Sequence, residues 1–364
     1  METSVLQKIS WAALFLATVA VAGVTVATSP TSPTSPTFLS PLEVPAARSA
    51  LAMRVPLNAL ANAGGRLVTA GQRGHILYTD DGKRWTQASV PVSSDLTALA
   101  FPAAKQGWAV GHEGVILHTA DGGATWEKQL DGTQAAELIV KRYGHPTNPA
   151  DPASQQLQKD AEAFAEQGAD TSFLDVWFED EKKGFAIGAF NLIFRTEDGG
   201  HNWIPWLDRI ENPKALHLYA IHPAANSVFI AGEQGLVLKL DRDQQRFISV
   251  ALPYQGTLFG VTGTRDMTLV FGLSGNAYRS TDDGAHWVKI DTGVRAGLTG
   301  GIVRADGSVV LVSQAGHVLL STDDGASFHR VTTANTAPIF AVAETDNHVL
   351  ALVGTGGARF ENLK

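Results

Sequence analysis

Cysteine is absent from all 364 residues. Without a thiol the chain can form no disulfide, no thiolate metal site and no cysteine nucleophile, and it offers no N-terminal cysteine for a lipid. Charge is also sparse: Asp, Glu, Lys and Arg make up 18% of the residues, with a formal net charge of −8. Glu2 and Lys8 cancel within the first forty residues, so the acidic balance belongs to residues 41–364. An acidic domain repels phosphate backbones, which argues against nucleic acid as the main partner. Several catalytic signatures are missing too. His112-Glu113 is not followed by a second His at zincin spacing, and there is no nucleophile elbow and no phosphate-binding glycine loop ending in Lys. Strings such as Asp80-Asp81-Gly82 lack the rest of a calcium loop. The expectation is a chain with no metal, no cofactor and no catalytic centre.

The N-terminus supplies the compartment. Lys8 precedes an apolar stretch of 19 residues, 9–27, broken only by Ser10, Thr18, Gly23 and Thr25. Ala20 and Ala22 offer a signal-peptidase site, and the length nearly suffices to span a bilayer, so residues 1–27 read as a signal peptide or a membrane anchor. Either implies export to a periplasm or lumen. Residues 28–40 are a Thr/Ser/Pro-rich linker whose threefold Thr-Ser-Pro repeat favours extended polyproline II, at roughly 3.1 Å per residue.

Self-comparison of residues 41–364 finds a repeated box, Thr/Ser-x-Asp-x-Gly-x-x-Trp. It reads Thr119, Asp121, Gly123, Trp126, then Thr196, Asp198, Gly200, Trp203, then Ser280, Asp282, Gly284, Trp287. Looser copies are Tyr78, Asp80, Gly82, Trp85 and Ser321, Asp323, Gly325, Phe328; a degenerate one keeps Asp241 and Phe247. Upstream of the boxes, a Gly-x-x-Gly turn begins at Gly71, Gly111, Gly232, Gly272 and Gly354, with variants at Gly188 (Asn191 in the second slot) and Ser313. These seven turns lie 40, 77, 44, 40, 41 and 41 residues apart, which is one period with a single long insertion. Each unit reads as four short strands with the Asp box between the third and fourth. One such sheet cannot bury both faces, so seven must stack radially. The fold class is therefore all-β, a seven-bladed β-propeller of Asp-box repeats with a helical-hairpin insertion between blades 2 and 3.

Two details extend this reading. The last unit shows three strands, so residues 44–54 are expected to pair as its missing outer strand and close the ring. The insertion, 131–168, reads as two helices: one capped by Thr133 and ending at Gly144, the other starting at Asp151-Pro152 and stopping at Gly168. Leu157, Ala161 and Phe164 share one face of the second. Strand direction puts the seven glycine turns, the blade-to-blade connections and the insertion on one face, called top, and the Asp boxes below. The top turns vary in sequence, so recognition is expected there. Candidate partner-binding residues are Arg73, His112, Glu113, Lys141, Arg142, Tyr143, Asp175, His217 and Glu233. Asp80, Asp121, Asp198, Asp282, Asp323, Trp85, Trp126, Trp203 and Trp287 are read as structural box residues.

The stretches Gly107-Trp108-Ala109-Val110-Gly111 leading to His118-Thr119-Ala120-Asp121-Gly122-Gly123-Ala124-Thr125-Trp126, and Gly184-Phe185-Ala186-Ile187-Gly188 leading to Thr196-Glu197-Asp198-Gly199-Gly200, resemble the photosystem II stability and assembly factor family. That resemblance implies a lumenal seven-bladed propeller that binds a membrane-protein precursor during complex assembly. The chain departs from the pattern in having no lipid-attachment cysteine and no concentrated arginine patch. The function expected is a non-catalytic, monomeric scaffold for a membrane protein or complex: a photosynthetic one or, in a non-photosynthetic bacterium, an envelope transporter. The alternative is a carbohydrate-binding or sialidase-like propeller, although the Arg-Ile-Pro motif and arginine triad of sialidases are not recognisable. Exposed aromatics with paired carboxylates at the channel mouth would favour that alternative.

Overall fold

The computed structural model describes residues 39–363 except Thr147, Ala334 and Asn335. The signal or anchor at 1–27 and most of the linker at 28–40 lie outside the described residues. The rest forms a seven-bladed β-propeller of seven antiparallel sheets, six with four strands and the last with three. The inner strands are Leu57–Ala63, Leu96–Ala100, Phe173–Phe178, Leu218–Ala224, Leu258–Gly263, Leu298–Val303 and Ile339–Glu344. Each neighbours the next, and the inner strand of blade 7 meets that of blade 1. All seven line a central channel of about 420 Å³. Separate apolar clusters fill the spaces between blades, such as Val68, Ile76, Leu96, Leu117 and Trp126 between blades 1 and 2.

The boxes staple the lower turns. Thr196 Oγ1 accepts the Gly200 N–H at 2.9 Å and donates to Asp198 Oδ1 at 3.0 Å, and that oxygen also accepts the Asn202 N–H at 2.9 Å. The same arrangement recurs at Thr119/Asp121, Ser280/Asp282 and Ser321/Asp323. Trp126 and Trp203 are buried edge-on against Phe101 and Phe178, 6.1 and 6.0 Å between ring centres. Trp85 and Trp287 are half-buried between blades 7 and 1 and between blades 4 and 5. The first box requires a correction. Asp81, not Asp80, takes the Thr79 hydroxyl and the Lys83 and Arg84 N–H groups, while Asp80 pairs with Arg66 at 2.6 Å. This turn is one residue shorter before its Trp, which slipped the register of the sequence pattern.

The upper turns use glycine for two reasons. A Cβ on the first glycine would strike the chain entering its own blade: on Gly188 it would lie 2.1 Å from Ser172 O. In the second slot Asn191 adopts φ 66°, the left-handed conformation that Asn tolerates. The residue before that slot is left-handed as well, at Arg73, Glu113, Phe190, Gln234 and Ser274. Each turn then donates to the residue ahead of its inner strand: Gln72 to Pro56 O, His112 to Asp95 O, Ala189 to Ser172 O, Glu233 to His217 O. Turns and strand entries therefore share one end of every blade.

Closure differs from the expected strand. Residues 44–54 add no fourth strand to blade 7. Residues 46–49 instead bond to the outer edge of blade 1, with Ala46 N–H on Val90 O, and Ala47 O accepting the Gln87 amide. Ala52–Arg54 is a single 3-10 turn. A Cβ on Gly357 would lie 2.0 Å from Met53 O, just as one on Gly275 would lie 2.0 Å from Val294 O in the blade 5–6 connection. The N-terminal segment thus stands in for a connection from blade 7 to blade 1, not for a strand.

The insertion is a helical hairpin, α1 (Gly132–Tyr143) and α2 (Pro152–Gln167). Asp131, not Thr133, caps α1: its carboxylate accepts the Gln134 N–H, and the Gln134 side chain accepts the Asp131 N–H. Asp151 caps α2, with Pro152 in the first turn. Ile139, Tyr143, Ala161 and Phe164 pack into the apolar cluster of blades 2 and 3. Gly132 lies against Gly114 of the blade 2 turn, which places the hairpin at the same end as the glycine turns.

Candidate functional site: a groove and an aromatic row

Register defines the channel mouth. In all seven blades the first inner residue pairs with the turn's first position, as Leu57 with Gly71 or Leu218 with Gly232, and the next residue is skipped. The skipped residues are Asn58, Thr97, Leu174, Tyr219, Phe259, Thr299 and Phe340. Such bulges re-aim side chains. Asp175 and His217 flank this ring and do not belong to it, because the inner strands of blades 3 and 4 start at Phe173 and Leu218.

Three of the seven tie adjacent blades. Asn58 Nδ2 donates to Leu96 O at 2.9 Å, Thr97 Oγ1 to Phe173 O at 2.9 Å, and Thr299 Oγ1 to Ile339 O at 2.6 Å. Each acceptor is the first inner residue of the next blade. Between blades 3 and 4, Asp175 makes the tie: Oδ2 accepts the Ile221 N–H and Oδ1 the Val176 N–H, both at 2.8 Å. Burial raises this carboxyl to about 7, and the two N–H donors oppose the shift. Both oxygens of Asp175 are committed to backbone donors.

Blades 4 and 5 place aromatic rings at the same level. Tyr219 meets Phe259 edge-on at 5.5 Å, His217 lies over Tyr219 at 6.1 Å, and Phe190 lies against His217 at 4.5 Å. The row runs from the channel outward to Phe190, which is 52% exposed. Glu233 borders it, with Oε2 accepting the His217 N–H at 2.9 Å and lying 4.0 Å from His217 Nε2.

The other flank of the same blade 4 turn opens into a groove of about 960 Å³. Its walls are α2 (Pro152, Gln156, Leu157), the blade 3–4 connection (Ile210, Lys214) and the Gln234–Val237 and Ser249–Gln255 stretches of blade 4. Asn212 anchors the connection through Leu216 O at 2.8 Å and Asn191 Oδ1 at 2.9 Å.

The structure brings together His217 and Glu233, and separately Arg142 and Tyr143, and scatters the remaining candidates. Arg73 and His112 stand exposed on the turns of blades 1 and 2. Glu113 has a buried oxygen without a partner. Lys141 is exposed on α1. Tyr143 is not available to a partner, which corrects its reading as a contact residue. Its hydroxyl is buried against Asp208 Oδ1 at 2.5 Å and Pro205 O at 3.0 Å, and Arg142 Nε donates to it at 2.9 Å. Burial first, then Asp208, holds the phenol well above its usual range, so it remains a donor. Phe190, Tyr219 and the groove walls were not singled out from sequence. The signal for Phe190 was its size in a turn slot that elsewhere carries Arg73, Glu113, Gln234, Ser274, Ala315 and Gly356.

The family model described as photosynthesis system II assembly factor YCF48 matches residues 77–142 and 156–358. The chain belongs to this family. The unmatched 143–155 takes in the last residue of α1, the connection and the first four residues of α2. The photosystem II assembly lipoprotein Ycf48 of Synechococcus sp. (strain CC9902) is 27% identical over 148 residues, 40% of this chain and 44% of that protein. The chloroplastic photosystem II stability/assembly factor HCF136 of Cyanidioschyzon merolae (strain NIES-3377 / 10D) is 32% identical over 120 residues, 31% of this chain and 26% of that protein. The matches thus span less than half the length of these relatives. Among solved structures, one titled YCF48 bound to D1 peptide superposes with a TM-score of 0.61 at 16% identity, covering 85% of this chain and 92% of the other. The WD40 propeller of Doa1 superposes equally well, at 0.62 and 8% identity over 88% of this chain and 96% of the other, so these likenesses speak to fold alone.

Proposed function

We propose that this protein is a non-catalytic scaffold that holds a segment of a membrane protein on the exported side of the membrane and so assists assembly or stability of its complex. Membership of the assembly-factor family carries this reading, and the groove between α2 and blade 4 supports it. An open, mainly apolar groove on a face of variable turns suits an extended or helical segment. One fold neighbour is named for its complex with a D1 peptide, and the curated relatives are named for photosystem II assembly. The client is a photosynthetic complex or, in a host without photosynthesis, an envelope complex such as a transporter. Residues 1–27 would act as signal or anchor, and 28–40 as a spacer holding a monomeric propeller off the membrane.

The test is affinity capture from detergent-solubilised host membranes with the intact chain, with Leu157→Arg in the groove wall, and with residues 131–168 deleted. One defined membrane complex retained by the intact chain and lost from both variants supports the proposal. A folded, intact chain that retains nothing overturns it. The aromatic row favours a second reading, glycan binding, and a glycan array addresses it directly.

A further inference from the structure

The channel mouth is not uniform. Asn58 Nδ2 and the Thr97 and Thr299 hydroxyls donate to inter-blade ties, whereas blades 4 and 5 present Tyr219 and Phe259 at the same bulge. The row then continues through His217 to Phe190. Phe190 combines two unfavourable features, a large ring 52% exposed and a backbone at φ 54°. The fold requires neither, since the matching turn position holds Arg73, Glu113, Gln234 or Ser274 in other blades. Strain and exposure at one residue beside a channel mouth mark a contact surface. Glu233 Oε2 is held by the His217 N–H. Among the described residues no lysine or arginine pairs with Glu233.

On the reading that this face holds a protein segment, we infer that Phe190, His217, Tyr219, Phe259 and Glu233 form a receptor for a cationic side chain, lysine or arginine, of that segment. Aromatic faces attract a cation through their quadrupole, and a carboxylate beside them supplies the countercharge. The chain's net charge of −8 draws a basic segment toward it. A neutral sugar would need several convergent free donors and acceptors. Here Asn58 Nδ2, the Thr97 and Thr299 hydroxyls and both oxygens of Asp175 are already bonded to backbone.

Fluorine NMR of the full chain labelled with 3-fluorotyrosine tests this, because the sequence has five tyrosines and Tyr219→Phe identifies one resonance. The probes are acetyl-lysine methylamide and acetyl-arginine methylamide, with neutral acetyl-norleucine methylamide and chitotetraose as counterparts. Both cations should shift the Tyr219 resonance saturably, and Glu233→Gln should weaken them about tenfold. Phe190→Gly should weaken them as well while the chain stays folded, since glycine accepts the left-handed backbone. An equal response to norleucine makes the row a plain apolar patch and overturns the inference. A stronger response to chitotetraose makes it a sugar site, and no response removes it as a site; each overturns the inference too. Membrane capture separates the two proposals: if Glu233→Gln and Phe190→Gly retain the client fully, the scaffold stands and the cation receptor falls.

Discussion

Replacing Tyr143 by Phe isolates what docks the helical hairpin. The variant keeps the buried ring in the cluster of blades 2 and 3 and removes only the hydroxyl. That hydroxyl faces Asp208 Oδ1 and Pro205 O and receives Arg142 Nε, so its loss leaves buried polar groups short of a partner. Such a loss costs about 1–3 kcal/mol. Asp208 keeps Arg142 at 3.6 Å and Arg209 at 3.3 Å, which favours the lower half of that range. A global melt reads this poorly, because 1 kcal/mol moves the midpoint of a large domain by only about 2–4 °C.

Hydrogen exchange reads it well if the hairpin opens on its own. A loss of about 1–3 kcal/mol speeds exchange through that opening about 5- to 150-fold. The faster amides should be confined to α1 and α2, while the inner strands keep their protection. Since α2 walls the groove, client capture should weaken in the same variant. Unchanged exchange in the hairpin of a folded Tyr143→Phe chain would refute the claim that this hydroxyl docks it. Uniformly faster exchange would show that the hairpin and blades open as one unit.

Thr196→Val removes the hydroxyl that takes the Gly200 N–H inside blade 3, and should cost about 1–3 kcal/mol in urea unfolding. Asp282 and Asp323 are both lowered to about 2, by hydrogen bonds from His286 and from Ser327 and Ser321 respectively. A depressed carboxylate stabilises the fold above its unfolded range, so stability should fall as pH drops from about 4 toward 2, and less steeply in the doubly Asn-substituted chain. Asp175 has the opposite sign: its raised value means stability present below the usual carboxylate range and lost as pH rises through about 7. Asp175→Asn should flatten that loss in urea melts between pH 5 and 8. Gly357→Val, placed at φ 79° against Met53 O, should lower the melting temperature by disturbing the junction of blades 7 and 1.

Period and fold were legible because the residues that define them do local work. A box Thr or Asp bonds within four residues, and a turn glycine is pressed by its own blade, so the pattern repeats whatever the partner. Errors arose where one residue shifts register without changing composition. The first box slips from Asp81 to Asp80 because its turn is one residue shorter before Trp85. Closure was misjudged for a different reason. Residues 44–54 carry no pattern that distinguishes an outer strand from a connection, and the contacts that decide it, with Gln87, Val90 and Gly357, are long-range.

The candidate site was less legible because it depends on which bulge residues remain free once the ring is closed. From sequence, Asp175 looks as available as His217. Only the next blade's carbonyls and amides show that Asp175, like the Asn58 amide nitrogen and the Thr97 hydroxyl, holds adjacent blades together, while Tyr219 and Phe259 do not. The groove is less visible still, since its walls come from α2, a connection and blade 4, more than 50 residues apart across 157–214 alone. A propeller must satisfy its mouth polar groups before it can recognise anything there. The blades that leave this work to neighbours or to aromatic packing are the ones with side chains free for recognition. Blades 4 and 5 are among these, and their Tyr219 and Phe259 lie in one row with Phe190 of the blade 3 turn, bordered by Glu233 of the blade 4 turn.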